Sequence, residues 1–314
     1  MFDSLPSWNA IAAEVVGPNA FFWALGTYVA MIVIERIAYF FHDRGSWNER
    51  DARVNVINNS VTAVGDAFIG GPLFVAVYFL VYDNLRLFDV PFVWWGWVLA
   101  FILNDLAYYV DHRIAHRTGF FWALHIAHHS SKEMNLTVSA RGSVFGLGGT
   151  VSLAYFVFLA MLGVPFIMFI AAKFFANLWG IFNHTRIVHR MGFLENWLAT
   201  PANHRVHHGT DVKYLDKNYG QVLIIWDRLF GSFQREEEEP IYGLVKQLES
   251  DSIWDIQTWG PRWLIGEMAR APRLADKLRY LWMPPGWRHD GCPMTTEQMR
   301  SGVPGCIATG TATT

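Results

Sequence analysis

Eight histidines fall in three short runs: DHRIAH supplies His112 and His116, LHIAHH supplies His125, His128 and His129, and NHRVHH supplies His204, His207 and His208. Spacings of three and four return side chains to one face of a helix, so each run aims its imidazoles in one direction. Imidazole binds first-row metals well, and eight nitrogens exceed the four ligands of a zinc centre, so two ions sharing the site is the economical reading. Burying these rings without metal would leave many polar atoms to satisfy. His184, in FNHT at the end of the last apolar segment, adds a ninth ligand. His189, five residues on and off the same helical face, stays an additional candidate. Asp111 stands where a carboxylate could orient a ligand ring, and Asp105, seven residues before His112, shares its helical face and could do the same or stabilise the site entrance. His42 and His289 stand alone and read as ordinary polar residues.

A nitrogen-rich set for two metals beside an apolar environment suits iron and O2 acting on an unactivated C–H bond, because zinc supplies no electrons. Unlike the carboxylate-bridged sites of soluble bundles, the set has no anionic ligand, so a metal pair here would be highly cationic. No Gly-rich dinucleotide fingerprint, haem motif or iron–sulfur spacing is present, so electrons are expected from an external donor.

The elements that position these residues read as membrane helices. Of 314 residues, 52% are hydrophobic and 17% charged, against about 25% charged in soluble domains. Net charge is −2, which leaves no broad basic field for nucleic acid. Cys292 and Cys306 match neither a zinc module nor a disulfide framework, and reduced thiols are expected. The first residues carry no Lys or Arg before Arg36, so no cleaved signal is expected. Five apolar segments, 20–41, 62–82, 91–111, 144–163 and 165–182, approach the ~20 residues that cross a bilayer. The last two, joined through Val164-Pro165 with a tight turn, form a tilted or re-entrant hairpin. Trp94, Trp95, Trp97 and Tyr108 could wall a lipid cavity, although an interfacial belt and ordinary helix packing are the favoured account of them.

Arg44, Arg50 and Arg53 in loop 42–61, and Arg113, Arg117, Lys132 and Arg141 in loop 112–143, place those loops in the cytoplasm. The expected fold class is therefore an all-α integral membrane protein with about five transmembrane or re-entrant helices and a cytoplasmic histidine-rich helical cap. One domain spans 1–314: N-terminal spans over 1–111, the cap over 112–143 and 183–235, the hairpin over 144–182, and an amphipathic C-terminal region with its tail over 236–314. REEEEP at 235–240 reads as a solvated turn, DKNYG at 216–220 as a turn in which Asn218 and Gly220 tolerate unusual backbone angles and which pins the last histidine run, and 253–287 as headgroup-level amphipathic structure.

HxxxH, HxxHH, NH and HRVHH followed by DKNYGQVLIIWDRLFGSF resembles the fatty acid hydroxylase and sterol desaturase superfamily of integral-membrane di-iron enzymes. TPANHRVHHG, PIYGLV and PPGW resemble its pterin-dependent branch that cleaves glyceryl ethers, and the likeness runs from about Asp105 to Trp287. It implies metal ligands at His112, His116, His125, His128, His129, His184, His204, His207 and His208, whereas His189 has no counterpart in that branch. It further implies two iron ions, O2, tetrahydrobiopterin or another external reductant, and a membrane lipid substrate, at a bacterial inner membrane or the endoplasmic reticulum. A sterol or acyl-lipid hydroxylase or desaturase is the alternative. A metal transporter is the remote one, because its ligands would line a path at the bilayer midplane rather than sit at helix ends.

Overall fold

The computed structural model describes residues 18–42, 47–146 and 154–302, with the side chains of the first helix described from residue 25 to 41. Among the described residues every regular element is helical, and pairing of extended chain is limited to two isolated bridges, Leu198 to Leu223 and Gly209 to Tyr242. The first helix, α1, is Pro18–His42. Helix α2, Glu49–Gly65, starts where the Asn48 side chain accepts from the Asp51 N–H, with Glu49 and Asp51 favourably placed at its positive end. Residues 49–61, expected as loop, are thus helical, because a cap and first-turn acids outweigh the polarity of the stretch.

A π turn, Asp66–Gly70, joins α2 to α3, Gly71–Leu85. Pro72 can donate no N–H to the ladder, and the Gly71 N–H reaches back five residues to the Asp66 carbonyl. Helix α4, Trp94–Arg117, runs beyond the expected span and carries His112 and His116 in its last turns. Helix α5, Gly119–His125, follows a break at Thr118, and 3-10 turns occupy His128–Ser130 and Val138–Ala140. Residues 144–146, expected to open a span, form a turn, while 147–153 lie outside the described residues.

Helix α6, Ala154–Met161, and α7, Phe166–Asn183, form the expected hairpin around Pro165. Its turn is held by the Tyr78 hydroxyl on the Val164 carbonyl at 2.6 Å, and Gly163 at φ +75° sits so near the Phe88 carbonyl that a Cβ would lie 1.7 Å from that oxygen. Helix α8 is Pro201–His207, α9 Ile225–Leu229, α10 Ile253–Arg270, α11 Leu274–Trp282 and α12 Thr296–Ser301. Cys292 is disulfide-bonded, against the expectation of reduced thiols, and Cys306 lies outside the described residues.

The main core joins α3, α4, α6 and α7 through Phe74, Tyr78, Ala107, Leu159, Met168 and Phe169. A smaller core of Ile126, Leu244 and Ile256 lies behind the second histidine run. Helix α10 crosses α5 at Gly260, where a Cβ would fall 1.9 Å from the Ala123 carbonyl. The two stretches Glu49–Leu85 and Phe166–Asn183 are long and apolar enough to cross a membrane. Large apolar side chains also cover the outside: Ile34, Phe40, Phe68, Leu80 and Trp94 are 64–80% exposed, an apolar surface of the kind that lipid or a partner covers.

Candidate metal centre

Four helices and a 3-10 turn bring the histidines together. The C-terminal turns of α4 carry His112 and His116, and α5 ends on His125 with His128 and His129 in the 3-10 turn beyond it. His184 caps the C-terminus of α7, and α8 carries His204 and His207 with His208 as its cap. Pro201 starts α8 with no N–H to satisfy, and the Thr200 N–H donates to Asn203 Oδ1 at 3.1 Å, which fixes where the helix begins.

The nine rings sort into two groups whose ligand atoms lie within 4.8 Å of one another: His112, His116, His125, His129 and His207 in one, and His128, His184, His204 and His208 in the other. The Nε2 atoms face inward. His112 and His125 approach to 3.1 Å, His125 and His129 to 3.2 Å, His184 and His204 to 2.9 Å, and His204 and His208 to 3.2 Å. Ligands 2.0–2.1 Å from a common ion stand about 2.8–3.4 Å apart in octahedral or tetrahedral arrangements.

The opposite ring nitrogens explain the orientation. Nδ1 of His112 meets the Tyr219 carbonyl at 2.8 Å, that of His128 the Arg141 carbonyl at 3.1 Å, that of His184 the Gly180 carbonyl at 2.7 Å, and that of His207 the Lys217 carbonyl at 2.9 Å. A carbonyl only accepts, so in each ring Nδ1 carries the proton and Nε2 is a bare lone pair. His128 and His184 therefore point two lone pairs at each other across 3.3 Å, which is repulsive unless a cation lies between them. Buried Nε2 atoms of His116 and His207 have no hydrogen-bond partner in the protein. Together these features fit a metal ion in each group, because metal-binding histidines commonly hand their second nitrogen to a carbonyl or carboxylate.

Protonation would compete with metal, and the site suppresses it. Burial, aided by neighbouring imidazoles, pushes His112, His125, His129, His184, His204, His207 and His208 well below the ordinary value of 6.5. Burial lowers His128 to about 4.

Residues 216–220 form a strap over the five-histidine group. Besides the carbonyls of Lys217 and Tyr219, the strap places Asp216 Oδ1 3.6 Å from His116 Nδ1. Burial pushes the Asp216 carboxyl up, but contact with His116 and Thr296 and the charge of Arg117 hold it below its usual range. Asp216 and Asn218 have φ of 52° and 54°, while Gly220 does not need the left-handed region. Gly220 is instead required for space, since a Cβ would lie 2.6 Å from the Leu223 carbonyl. Asn218 locks the strap by donating to the Asn203 carbonyl at 2.9 Å and accepting from the Gln234 N–H at 2.8 Å.

Asp105 is fully buried and does not contact a histidine. It accepts from the Val222 and Leu223 N–H groups and from Trp226 Nε1, and so anchors the chain just after the strap. Asp111 is buried, and its charge acts on Lys173 and Tyr155. His189 is exposed and belongs to neither group. His289 bonds the Tyr280 hydroxyl, away from the site, and the His42 side chain lies outside the described residues. Tyr108 lines the cavity beside the histidines, whereas Trp94 and Trp95 are exposed and Trp97 packs against the main core.

REEEEP is more than a solvated turn. Glu236 takes Arg205 Nε at 2.6 Å and Nη2 at 2.7 Å in a two-pronged pair, with side chains 5% and 11% exposed. Arg205 Nη1 also donates to the Thr185 and Val188 carbonyls, tying α8 to the chain just after His184. Composition hid this pairing because four glutamates in a row read as solvent-facing; Arg205 lying between ligand histidines is the one signal that pointed to it.

A cavity of about 340 Å³ opens directly onto the centre, lined by His125 of one group and His128, His184 and His204 of the other. Fold and site together define a helical, histidine-rich protein with two buried groups able to hold a metal ion. Residues 97–232 match the fatty acid hydroxylase family. It is similar to an alkylglycerol monooxygenase of Caenorhabditis elegans, 33% identical over 76% of this chain and 50% of that protein. One from Danio rerio is 36% identical over 68% of this chain and 47% of its own length, and an ornithine lipid hydroxylase of Rhizobium tropici is 29% identical over 43% and 41%. The chain spans about half the length of the curated alkylglycerol monooxygenases it matches. No solved structure matches it.

Proposed function

We propose that the protein is an O2-dependent di-iron monooxygenase of membrane lipids, acting on a glyceryl ether at the carbon next to the ether oxygen. The observation that carries this reading is the convergence of nine imidazole Nε2 atoms in two buried groups beside a cavity. Similarity to alkylglycerol monooxygenases supports the choice of substrate. Bound iron would supply reduction of O2 and oxidation of the C–H bond. In the balanced reaction one oxygen atom enters the C–H bond and the other leaves as water, with two electrons and two protons from an external reductant, for which tetrahydrobiopterin is proposed. The product carbon carries both a hydroxyl and an ether oxygen, and this hemiacetal falls apart to a fatty aldehyde and a free glycerol hydroxyl.

The chain's own residues contribute geometry and dryness. His112, His116, His125, His129 and His207 would hold one ion, and His128, His184, His204 and His208 the other. The backbone carbonyls behind His112, His128, His184 and His207 fix each ring before metal arrives, so little reorganisation remains. Burial keeps the imidazoles neutral and water away from the reacting carbon. Five spans and a cytoplasmic position for the cap belong to the same proposal, on the Lys and Arg placement in the loops.

The test is purification in detergent followed by metal analysis and incubation with 1-O-hexadecylglycerol, O2 and tetrahydrobiopterin. About two irons per chain with hexadecanal as product supports the proposal; an iron-free protein or no aldehyde sinks it. Similarity to an ornithine lipid hydroxylase supports a second reading, hydroxylation of an acyl lipid. An iron-loaded protein that returns a hydroxylated lipid and no aldehyde establishes that one instead.

A further inference from the structure

The cavity wall is largely apolar but carries several polar side chains that a bare hydrocarbon chain would not need. Helix α7 is otherwise almost wholly apolar, yet it turns Asn177 and Asn183 to this cavity, and α2 with the π turn sets Asn59, Thr62 and Asp66 on the wall as well. Polar side chains within an apolar helix are costly unless they serve a cavity or a partner.

Asn183 is 1% exposed, and its Nδ2 donates to the Gln221 carbonyl at 3.0 Å. That bond fixes the amide, and its Oδ1 is left buried with no donor in the protein. Gln221 in turn donates its Nε2 to Asn177 Oδ1 at 3.1 Å, so the wall is braced on both sides of Asn183. A buried acceptor without a donor is destabilising until something supplies a hydrogen.

We propose that this cavity seats the hydroxylated head of the substrate, with Asn183 Oδ1 accepting a hydrogen bond from a head hydroxyl. The carbon joined to that head then meets the histidines, rather than one far along a chain or in a sterol ring. The inference rests on the oxidising role proposed above. An anionic head is disfavoured because Asp66 shares the lining and Arg141, also on it, gives Nε to Ser130 at 2.9 Å and Nη1 to Asn55 at 2.8 Å and Asp51 at 3.3 Å, the last neutralising its charge.

Equilibrium binding to the metal-loaded full chain in detergent, compared between 1-O-hexadecylglycerol and its 2,3-di-O-methyl ether, tests this. The methylated lipid keeps the chain and the ether oxygen but donates no hydrogen. The wild type should prefer the diol by about tenfold or more, and Asn183→Leu should erase that preference with metal content unchanged. If the substitution strips the metal, the wild-type preference alone decides. Equal binding of both lipids, binding of neither, a preference that survives in Asn183→Leu, or hexadecylamine bound more tightly than the diol overturns the proposal. Binding is read without turnover, so the two readings fail separately. Diol preference without aldehyde keeps this site and removes the reaction, and aldehyde without preference does the reverse.

Discussion

A histidine whose Nδ1 is tied to a carbonyl has the fate of its Nε2 settled before any ion arrives, and this centre repeats that device in four rings. Removing one such ring should therefore cost a metal rather than the fold. His184→Ala is expected to lower iron content by about one ion per chain and abolish aldehyde formation, with the protein still extracted as a folded monodisperse species; full iron and full turnover would contradict it. Acid supplies a second expectation at this scale. Unfolded imidazoles titrate near 6.5, whereas burial moves His128 to about 4 and its neighbours well below 6.5. As pH falls through 6.5 the unfolded chain takes up protons that the folded one refuses. Stability of the metal-free protein is then complete above about 6.5 and declines between 6.5 and about 4. Thermal melts should show Tm falling across that window, and a flat profile would refute it. Spacing singled out eight of the nine rings, since three- and four-residue intervals are a direct statement about helical faces, and His184 stood out only by its place at the end of an apolar segment. Spacing could not identify their carbonyl partners, because every residue owns a carbonyl. Asp105 bonds Val222, Leu223 and Trp226 instead of a histidine for a geometric reason: residues seven apart share a face but are about 10 Å apart along the axis.

Between elements, the centre depends on joints that composition conceals. Arg205 holds α8 to the segment after His184 through Glu236. Arg205→Lys keeps the charge but loses the fork, and leaves Glu236 with one donor at most. A loss of about 3 kcal/mol is expected from disrupting a buried pair, read by chemical or thermal unfolding, together with weaker iron retention; an unchanged midpoint would argue against the joint. A second joint is the crossing of α10 on α5. Gly260→Ala forces a methyl against the Ala123 carbonyl and should cost roughly 1–3 kcal/mol through displaced backbone, shifting α5 and His125 with it. Pro261, next in sequence, frees the Gln257 carbonyl, which accepts from Ser143, while the Gln257 side chain accepts from the Val144 N–H and donates to Asn58. Hydropathy reveals which helices are apolar, but it does not reveal which of their glycines are contact points. The start of α2 was equally illegible to hydropathy, because a polar capped helix has no apolar signature.

For the molecule as a whole, the exposed apolar sheath of α1 to α4 matches the low charge content visible in the composition. Positive loops define the expected orientation: single cysteines introduced at Arg44 and at Asp89 should be labelled by an impermeant thiol reagent from opposite sides of sealed vesicles, and labelling from one side would overturn it. The histidine groups also differ in who holds them. The strap from Asp216 to Gly220 reaches only His112, His116 and His207, all in the five-membered set, whereas Arg141 and Gly180 serve the four-membered set. Nothing in that arrangement would oblige two bound ions to depart together. A chelator titration should empty the centre as a staircase, the four-ring compartment first and the better-braced one at higher chelator, leaving a half-loaded form that can be isolated in between.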